Sequence, residues 1–164
     1  MPPKSVKVRP GRVNTKNDRY LYLATDKKTA MLEVSANPNE YISIADIKLK
    51  KHILLAYFSK NCSGADVDNE EYSKWINSYI LGLDNLFEKP CEEGDYRLCQ
   101  YISKHLKKWG FDGVFYNSSK NPLGFKYYEG KNIALFDDQK CEIKSSKLYY
   151  VISTDISSNP SLEE

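Results

Sequence analysis

The first compact apolar stretch along the chain is Arg19–Ala24 (RYLYLA), whose packed aliphatic and aromatic residues predict a strand. Asp26 is placed to cap a short helix from about Lys27 to Ser35, in which Ala30, Met31 and Val34 recur at helical spacing. Asn37-Pro38-Asn39 is a turn signal. Beyond it Tyr41–Leu49 alternates as a strand, and His52–Phe58 forms a second apolar run. Residues 59–70 are polar and read as a loop. Tyr72, Trp75, Ile76, Tyr79, Ile80, Leu83, Leu86 and Phe87 then fall at three- and four-residue steps, the pattern of an amphipathic helix with Asn69 as N-cap and Pro90 as stop. A second helix follows Asp95, with Leu98, Tyr101, Ile102, His105, Leu106 and Trp109 on one core-facing side and Gly110 as its breaker. Asp112–Asn117, Asn132–Phe136 and Leu148–Ile152 predict further strands, and Ser153–Glu164 a frayed polar tail. There are no repeats and no low-complexity tract. Short strands around two or three helices make an α+β domain the expected class.

Composition narrows the picture. At 164 residues and 18.9 kDa the chain fits one domain, here taken as residues 1–152 with 1–18 as a basic lead-in arm. Hydrophobic residues at 41%, charged residues at 28% and a mean hydropathy of -0.60 describe an ordinary globular protein. No apolar run nears the roughly 18–20 residues that span a bilayer, and Met1–Lys7 has no apolar core of a secretory signal. The expected location is therefore the cytoplasm, with no membrane partner.

Lys and Arg number 24 against 22 Asp and Glu, for a net charge of +2 and a pI near 8.2. Dedicated nucleic-acid domains usually exceed a pI of about 9. The one basic cluster is terminal (Lys4, Lys7, Arg9, Arg12, Lys16, Arg19), so direct nucleic-acid binding is not expected. Cys62, Cys91, Cys99 and Cys141 form no CxxC pair, and only His52 and His105 offer imidazole, so no metal site is expected and free thiols are. Both histidines lie in apolar segments and read as structural. The 13 tyrosines supply flat faces with a hydroxyl, suited to core packing or to stacking on a nucleobase or nicotinamide.

Four segments carry candidate chemistry. Gly11-Arg12-Val13-Asn14 precedes the first strand, which itself reads Leu21-Tyr22-Leu23-Ala24; Glu33 stands among apolar neighbours in Thr29–Val34; and Gly113–Ser119 ends in adjacent hydroxyls, with Gly130-Lys131-Asn132 following. Singly, Arg12 reads as a surface cation, Glu33 as a solvated helix residue, and Ser118 and Ser119 as a strand end. Together and in this order they resemble the RES domain, the NAD-destroying domain of bacterial toxins. The matching elements are GRVN at 11–14, YLYLA at 20–24, TAMLEV at 29–34, GFDGVFYNSS at 110–119 and GKNIALFD at 130–137.

The resemblance implies an ADP-ribosyltransferase-like fold, a split twisted sheet whose cleft grips NAD. It implies Arg12, Glu33 and Ser118 as catalytic residues and Tyr22, Asn132 and Ser119 as substrate-binding residues. The implied reaction is cleavage of the nicotinamide–ribose bond by water or by inorganic phosphate as co-substrate, with no cofactor. The implied partner is a helix-turn-helix antitoxin, and a homo-oligomer is left open. Departures are the eleven residues before Arg12, fewer than is usual, and Ser119-Lys120 where an Arg often follows the serine. The long interval between Glu33 and Ser118 is a third, with 59–95 as an inserted or enlarged helical region. The residue types suit the chemistry on their own terms: a carboxylate stabilises an oxocarbenium-like state, a guanidinium forks onto two oxygens, and a phenol stacks on nicotinamide. A mono-ADP-ribosyltransferase acting on a protein, an inactive nucleotide-binding module and a small RNA- or DNA-binding domain are the alternatives.

Overall fold

A computed structural model describes residues 8–58, 83, 86–87, 96–120 and 130–152. The chain runs through β1 (Leu21–Ala24), α1 (Lys27–Glu33), β2 (Tyr41–Leu49), β3 (Leu55–Phe58), α2 (Arg97–Lys108), β4 (Gly113–Asn117), β5 (Lys131–Leu135), a 3-10 turn (Asp138–Lys140) and β6 (Cys141–Tyr150). Of the predicted helix at 72–87, residues 83, 86 and 87 are helical, and the remainder lies outside the described residues, as do the loop at 59–70 and the tail at 153–164.

Four strands form one sheet in the order β1-β5-β4-β3, antiparallel except for the parallel β3–β4 pair. β2 and β6 form a separate antiparallel ribbon with a register shift after Asp46. The class is α+β. Because strand side chains alternate, register decides which residues share a face. Tyr22, Ala134, Val114 and Ala56 lie across from one another on one rung; Ala24, Asn132, Tyr116 and Phe58 occupy the rung two residues further on. That face is the core face: Ala56, Phe58, Val114, Tyr116 and Ala134 are buried together with Val13, Phe87, Cys99 and Leu106. Phe87 is fully buried and stacks on Phe58 with centroids 4.3 Å apart. Burial on this scale is worth about 1.5–3 kcal/mol for one such side chain.

Several expectations are corrected. The core-facing stripe of α2 is Cys99, Ser103 and Leu106 with Ile102, whereas Leu98, Tyr101 and Trp109 are exposed. Ile102 and Leu106 face the core as expected, and the small Cys99 and Ser103 join them where the spacing of large apolar residues pointed to Leu98, Tyr101 and Trp109. Gly110 does end the helix: with φ +88 it closes a Schellman turn in which the Gly110 and Phe111 amides donate to the Lys107 and Leu106 carbonyls at 3.2 and 3.1 Å. β6 starts at Cys141, not near Leu148, since most of its residues face solvent and carry no apolar alternation. β1 and β3 start later than their apolar runs, at Leu21 and Leu55. His105 packs between Tyr101 and Trp109, while His52 is exposed. Cys99 and Cys141 are buried thiols, not disulfide-bonded. Among the described residues no helix is long and apolar enough to cross a membrane.

Candidate active site

The Gly11–Asn14 segment has no regular structure, yet Val13 and Asn14 are 1% and 3% exposed. A turn closes it, with the Gly11 amide donating to the Asn14 carbonyl at 3.0 Å. Glycine leaves room there, because a Cβ would fall 2.7 Å from Asn14 Oδ1 and 2.9 Å from Tyr22 Oη and would displace the bond between them. The Asn14 amide donates to the carbonyls of Arg9, Thr15 and Asp18 at 3.0, 3.0 and 3.3 Å. Tyr22 Oη accepts the Val13 amide proton at 3.1 Å and donates to Asn14 Oδ1 at 2.8 Å. From α2, Gln100 Nε2 reaches the carbonyls of Gly11 and Asn14 at 2.8 and 3.1 Å. The loop carrying Arg12 is thus held by a strand on one side and a helix on the other. Its guanidinium donates to the Phe87 carbonyl and lies 5.6 Å from the ring centroid of Tyr116 and 6.0 Å from that of Tyr96.

Burial of the hydroxyl end pushes the Tyr22 phenol up; the hydrogen bonds at Val13 and Asn14 and the Arg12 charge offset part of this. The residue is 42% exposed while its hydroxyl stays committed to the loop.

Glu33 owes its place to the shortness of α1. Asp26 caps that helix, accepting from the Thr29 amide at 2.9 Å and from its hydroxyl at 2.6 Å. Seven residues later the helix ends, and Ser35 adopts φ 52 to turn the chain away. Glu33 therefore sits in the last turn, facing the end of β4. There Ser118 Oγ donates to Glu33 Oε1 at 2.6 Å, and Asn132 Nδ2 from β5 donates to the same oxygen at 2.7 Å. Ser118 and Asn132 are 3% and 6% exposed. Lys120 ties the helix end down, its Nζ donating to the Glu33 carbonyl at 3.0 Å and to Ser35 Oγ at 2.8 Å. Its amide donates to Ser118 Oγ at 3.1 Å.

A cavity of about 350 Å³ opens beside this carboxylate, with Tyr22, Glu33, Tyr116 and Asn132 as its polar wall and Leu23, Ala30 and Val34 as its apolar one. A larger groove of about 480 Å³ adjoins it between β1, α1 and the β2–β6 ribbon. Of the residues singled out in the sequence, Tyr22, Glu33 and Asn132 line the cavity, and Ser118 stands behind Glu33. Arg12 lies to one side, next to Tyr116. Ser119 is half-buried and makes no hydrogen bond to these groups among the described residues.

Four participants had no role from the sequence: Asn14, Tyr116 and Lys120, which lie in or beside the matching segments, and Gln100, which lies outside them. Tyr116 was within reach, since it lies two residues before Ser118, at the end of β4, where alternation places it on the same side. Asn14 and Gln100 act on backbone carbonyls, for which residue type gives no warning.

Fold and site together define an α+β protein whose cleft is built around one positioned carboxylate, with a guanidinium and two phenols beside it. A comparison with protein families matches the RES domain to residues 3–154, and the chain belongs to that family. Comparisons with curated proteins and with solved structures found no significant match.

Proposed function

We propose that this protein cleaves the bond between nicotinamide and ribose in NAD, passing the ADP-ribosyl group to water or to inorganic phosphate, and that it acts as a toxin by depleting the dinucleotide. The observation that carries this reading is the holding of Glu33 through a single oxygen. Ser118 and Asn132 both donate to Oε1, and among the described residues no side chain donates to Oε2. Such a carboxylate is oriented but not neutralised, and its second oxygen is available to a ribose hydroxyl in the cavity.

In the reaction the C1′–N bond breaks and its electron pair leaves with nicotinamide, which departs neutral. Positive charge grows on the ribose and is stabilised by the fixed carboxylate, which needs no reorganisation as the charge develops. Water then yields ADP-ribose and a proton, while phosphate yields the ribosyl phosphate. The exposed Tyr22 offers its ring to the departing nicotinamide. Arg12, beside Tyr116, supplies the planar cation for phosphate or ribose oxygens. The Ser118 hydroxyl donates its hydrogen bond to Glu33, so it positions the carboxylate and is not set up as a nucleophile.

The test is incubation with NAD, with and without phosphate, followed by separation of the products. Release of nicotinamide is expected, together with ADP-ribose or its 1-phosphate. No nicotinamide at high enzyme concentration with phosphate present would overturn the proposal. ADP-ribose attached to a protein band would make the enzyme a transferase.

A further inference from the structure

Tyr116 is 4% exposed, lies on the core face of β4, and has Asn132 as its direct neighbour on β5. Its ring is bounded by Phe87, 6.1 Å away between centroids, and by the Arg12 guanidinium at 5.6 Å. The same side chain lines the cavity that Glu33, Tyr22 and Asn132 share. Its hydroxyl has no hydrogen-bond partner among the described residues. The hydroxyl is not fully enclosed, since among the described residues the one fully buried side-chain atom without a partner is Asn117 Oδ1, so a ligand in the cavity can reach it. Two of the other three polar groups of this wall are already committed, the Tyr22 hydroxyl to the Arg12 loop and the Asn132 amide to Glu33.

We propose that the Tyr116 hydroxyl is a substrate-binding group, donating a hydrogen bond to an oxygen on the ribose–phosphate portion of the dinucleotide next to Arg12. The assignment rests on the proposed NAD reading and extends it to a residue with one defined task. Burial pushes the Tyr116 phenol up, and the Arg12 charge offsets only part of that, so the group stays protonated across the physiological range. It is a donor, not a base. Its neighbours divide the remaining work, with Glu33 for the developing positive charge and Arg12 for the anionic oxygens.

Tyr116→Phe removes the hydroxyl alone and keeps the ring between Phe87 and Arg12. If the hydroxyl serves substrate only, the variant melts at or above the wild-type temperature, because no internal hydrogen bond is lost. The value of kcat/KM for nicotinamide release then falls by about tenfold or more, the scale of a lost hydrogen bond to a charged oxygen. The loss is the same at every pH from 6 to 9, since no titrating base has been removed. Unchanged kcat/KM with active wild-type enzyme overturns the assignment and leaves the NAD reading standing. A clearly lowered melting temperature also overturns it, by showing that the hydroxyl supports the fold. Should wild-type protein release no nicotinamide, the activity proposal falls by itself, and NAD binding to both proteins is compared by calorimetry. Weaker binding by Tyr116→Phe then supports the contact, whereas equal binding, or none by either protein, overturns it.

Discussion

Replacing Glu33 by Gln separates charge from shape at the centre of the site. Glutamine fills the same volume, and its carbonyl oxygen can take the place of Oε1, keeping the bonds from Ser118 at 2.6 Å and Asn132 at 2.7 Å. Each of these changes from a charge-assisted bond, worth about 1.5–3 kcal/mol, to a neutral one of about 0.5–1.5 kcal/mol. The fold therefore loses on the order of 1–3 kcal/mol, against a typical domain stability of about 5–15 kcal/mol. The variant should remain folded at 25 °C. Catalysis should suffer far more. Removing one preorganised group that stabilises transition-state charge costs about 2.7–4 kcal/mol, or roughly 10²–10³ in turnover.

The assay is nicotinamide release over a range of NAD concentrations, alongside thermal melting of both proteins. Expected is a fall in kcat of at least about 100-fold with KM changed by no more than several-fold, since the lost interaction strengthens mainly in the transition state. Glu33→Ala is the instructive contrast: it strands Ser118 Oγ and Asn132 Nδ2 in buried positions, at about 1–3 kcal/mol for each unpaired group. It should lose stability more than Gln does while losing activity no less. A folded Glu33→Gln enzyme with a kcat near that of wild type would refute the argument, and Glu33 would be a structural tie between α1, β4 and β5.

Arg12→Lys should raise KM for NAD by roughly tenfold or more with a smaller effect on kcat, because a point charge cannot make the two-pronged contact; unchanged KM would remove Arg12 from substrate binding. Gln100→Ala should raise KM and lower the melting temperature together, since it removes the tie from α2 to the Gly11 and Asn14 carbonyls and slackens the Arg12 loop. A Gln100→Ala protein that melts lower but keeps wild-type KM would confine Gln100 to a structural role. The Asp112 carboxyl is held below the usual carboxylate range, first by its bond from Lys140 and then by the Leu54 amide. A carboxylate depressed in the folded state contributes stability that is present above its unfolded pKa of about 3.9 and is lost as pH falls through the folded value. Urea midpoints of the wild type should therefore drop steeply below about pH 4, and Asp112→Asn should flatten that limb. Parallel limbs would refute the role given to Asp112.

How much of this was legible depends on how far each feature reaches along the chain. β2 and α1 were readable because their determinants are local: alternation over Tyr41–Leu49, and Asp26 set three residues before Thr29. Gly110 was readable for the same reason. β6 was hidden because a two-stranded ribbon wetted on most of its surface needs no apolar alternation, and CEIKSSK shows none. The buried side of α2 was legible at Ile102 and Leu106 but not at Cys99 and Ser103, whose small side chains give little apolar-spacing signal. The site stands at the far end of this scale. Ser118 and Asn132 meet Glu33 across 85 and 99 residues, and what joins them is the β4–β5 register, which seats Asn132 directly beside Tyr116. Motif order could nominate Glu33, Ser118 and Asn132 as a set, since each lies in a recognisable element. It could not show that both donors converge on one oxygen of one carboxylate. Nor could it show that the Arg12 loop takes its shape from a phenol on β1 and an amide on α2. A slip of one residue in that register would turn Asn132 to the opposite face and leave Glu33 with a single donor, so the pairing of β4 with β5 is itself part of the site.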